Sequence, residues 1–178
     1  MMALRVVILG VGFGGLFTAL ELARQLRKTA GAEILLLDAH NFHLFSPMLH
    51  EVTSGSVEPR HVVRPIRALG RKTRLTFERK EVQSIDLERR KVLTDRGEVG
   101  YDCLVIALGS TTNFFGVKGA AENALTFKTL KDAVRLRNHL LEMLAGLLGK
   151  RPRGAAEAPH LCPGRGRLHG GRAGDGTP

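Results

Sequence analysis

Six consecutive residues, Gly10-Val11-Gly12-Phe13-Gly14-Gly15, constrain the fold of this 178-residue chain more than any other feature. They match the pattern G-x-G-x-x-G, with glycine at fixed positions 10, 12 and 15. An apolar run at 5–9 precedes them and predicts a buried strand, and residues 16–26 repeat apolar side chains at helical spacing. A second apolar run, 34–37, ends in Asp38. This order predicts a β-α-β unit with parallel strands, since a helix crosses between them.

Each fixed glycine has its own physical reason. Gly10 permits a tight turn, Gly12 lets a pyrophosphate approach the backbone, and Gly15 lets the helix pack close to the strands. The helix N-terminus supplies free N–H groups and a partial positive charge for phosphates. Asp38 follows Gly15 by 23 residues. An acidic side chain at this position is expected to accept hydrogen bonds from a ribose diol and to disfavour a 2′-phosphate. The pattern predicts FAD or NAD rather than NADP, and the alternative is a glycine-rich turn without a ligand.

The rest of the chain predicts further elements. Residues 40–67 have little periodicity, and we expect a long loop with a short helix near 60–69. Residues 74–77, 81–86 and 91–94 alternate enough for antiparallel strands, with a hairpin turn at 95–98. Residues 101–107 predict a buried strand that holds Cys103 as unreactive core. Thr129 is predicted to cap a helix over 130–148. The predicted fold class is α/β: a Rossmann-like domain with a parallel sheet and a small antiparallel β insertion.

The net charge of +10 is distributed unevenly. Residues 1–149 hold 21 Lys/Arg against 15 Asp/Glu, whereas residues 150–178 hold 6 against 2. That tail contains 7 of the 21 glycines and 4 of the 7 prolines, which predicts a disordered basic segment. There is no Trp, one Tyr and no aromatic residue after Phe127, so surfaces for base stacking are scarce and nucleic acid is not the expected partner. A nucleotide-binding module whose basic tail binds RNA or anionic lipid stays open as an alternative.

Cysteine and histidine usage predicts neither a disulfide framework nor a metal site. Cys103 and Cys162 are too few for such a framework, so a reducing, cytoplasmic compartment is the default. No signal peptide and no apolar run of roughly 18 residues is found, which predicts neither secretion nor a membrane span. Four histidines fall between positions 40 and 61 without the spacing of metal ligands, which favours a polar loop near a cofactor over a metal site.

Three stretches of the chain resemble type II NADH dehydrogenases, which are single-chain, FAD-dependent NADH:quinone oxidoreductases. The stretches are VVILGVGFGGLFTALELARQL, LLLDAHNFHLFSPMLHEVTSGSVEPRHVVRPIR and YDCLVIALGSTTNFFGVKGAAENALTFKTLKDAVRLRNHLLEML. The resemblance covers about residues 4–145. Its most specific part is 41–67, which matches the family segment N-(Y/F)-H-L-F-x-P-L-L and a later P-I-R.

The resemblance implies that FAD lies on the G-x-G-x-x-G turn, with its ribose on Asp38, its adenine near the backbone of Val82 and its flavin beside the loop 41–49. No residue is implied as a nucleophile or base, because the flavin carries the hydride chemistry. The residues implied to bind FAD are Gly10, Gly12, Phe13, Gly14, Gly15, Asp38, Ala39, Asn41, His43, Pro47, Leu49, Val82, Ala107 and Gly109.

The family also implies NADH as the substrate of a full-length form, quinone as acceptor and a peripheral position at the cytoplasmic face of the membrane. It leaves the oligomeric state open. A related flavoprotein, such as a sulfide:quinone oxidoreductase, is an alternative, although the two cysteines are not placed for its redox chemistry.

The family needs a second dinucleotide fold after the helix at 130–148, and this sequence lacks its fingerprint. Residues 1–149 are therefore expected to form a partial FAD-binding domain without the NADH-binding domain, in a truncated and inactive fragment. Back-translating residues 160–178 with permissible codons and reading one base later gives TFVLAGGGFTGVELATEL, a strand, a second fingerprint and a helix start. We interpret residues 150–178 as frameshifted, and a natural disordered basic tail is the alternative.

Overall fold

The computed structural model describes residues 4–29, 31–67 and 75–149. The helices are α1 (Phe13–Gln25), α2 (Leu49–Ser54), α3 (Ala120–Asn123) and α4 (Leu130–Gly149), with single 3-10 turns at Leu26–Lys28, Ser46–Met48 and Pro59–Val62. The strands are β1 (Leu4–Leu9), β2 (Ala32–Asp38), β3 (Phe42–Leu44), β4 (Val63–Pro65), β5 (Leu75–Arg79), β6 (Val82–Asp86), β7 (Lys91–Thr94), β8 (Gly97–Gly100) and β9 (Cys103–Ile106).

Four strands form a parallel sheet in the order β5-β2-β1-β9. The crossover through α1 joins β1 to β2, which confirms the predicted β-α-β unit and the α/β fold class. Strands β6, β7 and β8 form a separate antiparallel sheet, and β3 pairs antiparallel with β4. The carboxyl ends of the parallel strands therefore meet at one edge of the main sheet, where open α/β sheets bind ligands.

Both faces of the central strands are covered. Val6 and Ile8 of β1 pack with Leu16 and Ala19 of α1 on one face of the sheet. The alternate residues of β1 and β2 face the antiparallel sheet; this second core cluster consists of Val7, Leu9, Leu35, Leu37, Val92 and Val99. Burial on both faces explains why β1 and β2 are continuous apolar runs rather than alternating ones.

Strand β5 corrects one prediction. Residues 74–77 were expected in an antiparallel strand, but β5 runs parallel to β2 at the edge of the main sheet, with Ile34 opposite Leu75. The alternating pattern cannot distinguish the two cases, because an edge strand also has a partly exposed face. The predicted antiparallel strands at 81–86 and 91–94 are confirmed as β6 and β7, and the predicted hairpin turn lies between Thr94 and Gly97.

Residues 40–67 are more ordered than the predicted long loop. The predicted short helix near 60–69 is a 3-10 turn at Pro59–Val62 followed by β4. Helix α2 packs against α4 through a small core of Leu49, Val52, Val62 and Ala133. Positions 68 and 69 of the predicted helix lie outside the described residues. Residues 150–178, for which disorder and a shifted frame were predicted, also lie outside them.

Strand β9 and helix α4 are present as predicted, but less buried. Cys103 is exposed rather than in the core, and Ile106 is 59% exposed, because β9 is an edge strand of the described sheet and pairs there with β1 alone. Thr129 caps α4 as predicted: its Oγ1 accepts a hydrogen bond from the N–H of Asp132 at 3.1 Å. Among the described helices, none combines the length and apolarity needed to cross a bilayer.

Candidate functional site

The turn between β1 and α1, residues 10–15, is here named the fingerprint turn. Gly10 has a φ of 100°, and its N–H donates to the carbonyl of Leu37 at 2.8 Å. A Cβ on Gly10 would lie 2.3 Å from the carbonyl oxygen of Ala107, and one on Gly15 would lie 1.9 Å from the carbonyl oxygen of Gly10. Backbone atoms therefore exclude any side chain at both positions, which is the close packing of turn, helix and strand that the motif predicts.

Gly12 is different, because no atom of the described residues occupies the space that its side chain would fill. A Cβ there would meet no atom within 4 Å, and the φ of −64° suits any residue. Gly12 is also the N-cap of α1, which has neither a side-chain cap nor an acidic residue in its first turn. The first amides of α1 are thus open to an external acceptor, and a phosphate group fits this position by charge and by space.

Asp38 lies at the carboxyl end of β2, next to the fingerprint turn. Its side chain is 18% exposed, and its Oδ2 accepts a hydrogen bond from the N–H of Val11 at 2.8 Å. Its Oδ1 accepts one from the N–H of His40 at 2.7 Å. The carboxylate therefore stabilises the turn and still faces the cleft, where it can accept hydrogen bonds from a ribose diol.

His43 and Phe45, from the segment after β2, pack against Phe13 of the fingerprint turn. The Nδ1 of His43 lies 2.7 Å from the carbonyl oxygen of Val11, and the ring of His43 is in edge contact with Phe13 at a centroid distance of 4.9 Å. Phe45 contacts Phe13 in the same way at 5.4 Å. The segment after β2 therefore folds back against the fingerprint turn and supports it.

A cleft of about 1350 Å³ opens between the fingerprint turn and helix α4. It exceeds the roughly 300–1,000 Å³ of ordinary ligand pockets, which suits an extended dinucleotide. One wall carries Gly12, Phe13, Asp38 and His40. Helix α4 and the segment before it supply Lys128, Lys131, Arg135 and His139, here named the basic wall on α4, together with the acidic Glu142.

Lys128 links the segment before α4 to the segment after β9. Its Nζ donates a hydrogen bond to the hydroxyl of Ser110, in the turn that follows β9. Gly109, which has a φ of 78°, lies in the same turn and lines the cleft. The start of α4 is therefore held to the chain after β9, and its basic side chains line the same cleft as the N-terminus of α1.

The fourteen residues predicted to bind a cofactor occupy three kinds of position. Those that line the cleft are Gly12, Phe13, Asp38 and Gly109. Those that form or pack against the fingerprint turn are Gly10, Gly14, Gly15, His43 and Ala107. The others do not line this cleft: Ala39, Asn41 and Pro47 are exposed, Leu49 is buried against Val52, and Val82 begins β6. Direct contact of these residues with a cofactor stays a prediction.

The basic wall on α4 was not predicted from the sequence. Lys131, Arg135 and His139 recur every four residues, which places them along one helix face. That spacing was the available signal, but only the tertiary structure shows that this face lines the same cleft as the fingerprint turn. In the described residues, no three histidine, cysteine or acidic side chains come together as a metal site would require.

Comparison with known proteins assigns this chain to one family. The family model described as pyridine nucleotide-disulphide oxidoreductase matches residues 4–151. A type II NADH:quinone oxidoreductase from Staphylococcus epidermidis is 30% identical over 162 residues, and one from Staphylococcus aureus is 29% identical. These alignments cover 91% of this chain, which spans 40% of the length of each relative. The predicted resemblance to type II NADH dehydrogenases is thereby confirmed.

Solved structures agree on the fold. The sulfide:quinone oxidoreductase of Aquifex aeolicus superposes with a TM-score of 0.73 and 29% identity, over 80% of this chain and 33% of that one. The NDH2 of Plasmodium falciparum gives a TM-score of 0.71 and 23% identity, over 82% of this chain and 30% of that one. Since the family model covers most of the chain, the chain belongs to the pyridine nucleotide-disulphide oxidoreductase family.

Proposed function

We propose that this chain binds FAD in the cleft between the fingerprint turn and α4. The observation that carries the proposal is the geometry at Gly12: an uncapped helix N-terminus whose glycine faces open space beside Asp38. The similarity to type II NADH:quinone oxidoreductases favours FAD over NAD as the dinucleotide.

In this proposal the protein binds and orients the cofactor. The first amides of α1 donate to the pyrophosphate, Asp38 accepts from the ribose, and the basic wall on α4 lowers the electrostatic cost of bringing phosphates into the cleft. Val82, Asn41 and the loop up to Leu49 contact the cofactor beyond the cleft itself. FAD supplies the two-electron chemistry, so no side chain of this chain need act as a nucleophile or a general base.

The larger activity is that of an NADH:quinone oxidoreductase, with NADH as donor, quinone as acceptor and the cytoplasmic face of the membrane as the place of reaction. The 178 residues contain a single G-x-G-x-x-G match, which is assigned here to FAD. We therefore expect the isolated 178-residue polypeptide to be inactive. An enzyme-like rate of NADH oxidation with a quinone, measured on the purified chain, would contradict this expectation.

The last residues carry a separate proposal, that 150–178 are read out of frame. Resequencing the locus tests it. A one-base shift that opens a frame with a second fingerprint supports the proposal, and a locus without such a frame overturns it.

The experiment for the cofactor is a titration with FAD, followed by flavin absorption and fluorescence, on the purified protein and two variants. Gly12→Ala places a methyl group where the pyrophosphate would lie, and its FAD affinity is expected to fall at least about 10-fold. Gly100→Ala is the matched control, because its Cβ also meets no atom within 4 Å but lies in β8. A wild-type protein that is colourless and refuses added FAD would overturn the proposal.

Sulfide:quinone oxidation is the second candidate, favoured by the 29% identity and TM-score of 0.73 with the Aquifex aeolicus enzyme. The position of Cys103 weighs against it. Cys103 begins β9, opposite Val6, whereas the fingerprint turn follows the other end of β1. A thiol at the amino end of the strand is remote from the cleft. Sulfide-dependent reduction of bound flavin would favour this candidate.

A further inference from the structure

Both peptide groups that flank Val11 are held by side chains from distant parts of the sequence. The N–H of Val11 donates to Asp38 at 2.8 Å, and its carbonyl oxygen lies 2.7 Å from the Nδ1 of His43. The preceding N–H, that of Gly10, donates to the carbonyl of Leu37. The turn is thus fixed on successive peptide units by β2 and β3.

His43 does this from a buried position. It is 6% exposed, lies in β3 opposite Arg64, and is not among the residues that line the cleft. Because a carbonyl oxygen only accepts hydrogen bonds, Nδ1 of His43 must carry the proton in this contact. The edge contact with Phe13 holds the ring in place, so the donor is directed rather than free to rotate.

The carbonyl of Val11 and the N–H of Gly12 belong to one peptide unit. No peptide bond in the described residues is cis, so in this planar unit the two groups point in opposite directions. A donor that holds the carbonyl on the buried side therefore turns the N–H of Gly12 toward the open side, at the N-terminus of α1. His43 is connected in this way to the phosphate position without touching it.

We propose that His43 is a positioning residue that directs the Gly12 amide at the pyrophosphate of the bound dinucleotide. This inference rests on the proposed binding of FAD and deepens it. It differs from direct contact with the flavin, because a positioning role acts on the phosphate end of the ligand. ADP carries that end and no flavin, so ADP and FAD together separate the two roles.

The experiment measures dissociation constants for ADP and for FAD, and melting temperatures, on the full chain and three variants. His43→Leu keeps much of the side-chain volume against Phe13 but removes the donor. His43→Asn loses volume but keeps an N–H donor near the position of Nδ1. His61→Leu is the matched control, since His61 is an exposed histidine in the 3-10 turn at Pro59–Val62.

We expect His43→Leu to weaken ADP and FAD by a similar factor, about 10-fold, the size of one directed hydrogen bond. His43→Asn is expected to bind both within about 3-fold of wild type, and His61→Leu to bind as wild type does. A merely structural role would instead make affinity follow the melting temperature, so that the smaller Asn side chain binds no better than Leu.

Several results would overturn the inference. Unchanged binding of both ligands by His43→Leu would do so, and so would a loss confined to FAD, which indicates contact with the flavin. If the wild-type protein binds neither ligand, the proposed function is contradicted, and this inference, which depends on it, is contradicted as well. Should His43→Leu not fold, the ¹⁵N–¹H signal of Gly12 on adding ADP is compared in the wild type and His43→Asn: a downfield shift in both supports the inference, and a shift absent from either overturns it.

Discussion

Strands β1 and β9 lie side by side in the same sheet, have similar apolar sequences, and yet differ sharply in burial. Val6, Val7, Ile8 and Leu9 of β1 are at most 4% exposed, whereas Ile106 of β9 is 59% exposed. Strand β1 has a neighbour on each side and a layer on each face, while β9 is at the edge of the sheet. An apolar sequence makes burial possible, but the neighbouring strands and the layers on each face determine whether its residues are buried.

Helices α1 and α4 differ in burial in the same way. Helix α1 buries Leu16, Ala19 and Ala23 against the sheet. In α4 the buried residue is Ala133, and six large apolar side chains are exposed: Leu140, Leu141, Met143, Leu144, Leu147 and Leu148. The molecule thus has a closely packed fingerprint region (β1, α1 and β2) and an open β9–α4 region.

The largest expected effect compares glycines in the two helices. Gly15→Ala puts a Cβ 1.9 Å from a backbone oxygen, so the turn must shift, and we expect a loss of stability of about 3 kcal/mol or more. Gly146→Ala in α4 meets no atom within 4 Å and is expected to stabilise the protein by about 0.5–1 kcal/mol. Urea unfolding followed by circular dichroism measures both. Equal effects would show that the regions do not differ in packing.

The next largest expected loss of stability comes from comparing an Ile→Thr substitution in the neighbouring strands β1 and β9. Ile8→Thr replaces the ethyl branch of the side chain by a hydroxyl at a position that is 0% exposed, which leaves a cavity and buries a polar group, and we expect a loss of about 2–4 kcal/mol. Ile106→Thr keeps a β-branched residue at an exposed edge, with an expected change below about 1 kcal/mol. Chemical denaturation provides the measurement. A large loss from Ile106→Thr would show that β9 is covered in solution.

The smallest effect concerns the start of α4. Thr129→Ala removes the N-cap, and we expect a loss of about 1 kcal/mol.

The hydrogen bond from the N–H of Thr129 holds the pKa of Asp132 below its usual range, and those from Lys128 and Thr126 add to it. A lowered pKa in the folded state stabilises the protein above the unfolded pKa, and this contribution is lost as the pH falls through the folded value.

The pH dependence of that contribution follows from its sign. Asp132→Asn is expected to be less stable than wild type at neutral pH, with the difference shrinking below a pH of about 4. Thermal melts from neutral pH to acid measure this difference. A difference that grows on acidification would contradict the assigned role of the carboxylate.

Much of the fingerprint region could be predicted because its constraints are local. The three glycines, the flanking apolar runs and Asp38 fall within 34 consecutive residues, and each has a reason that the neighbouring backbone supplies. The parallel pairing of β5 was predicted wrongly, since the partner of an edge strand is decided far away in the sequence. The basic wall on α4 was missed for the same reason, because only the tertiary structure brings it to the cleft that the turn also lines.

The sequence by itself determined the β-α-β unit, the turn that can accept a phosphate, and the acid beside it, because steric and hydrogen-bonding requirements of single residues specify them. Only the tertiary structure decided which apolar residues are buried, and that His43 and Asp38 hold the two sides of Val11. Burial and long-range hydrogen bonds depend on which segments meet, and the spacing of residues along one chain does not contain that information.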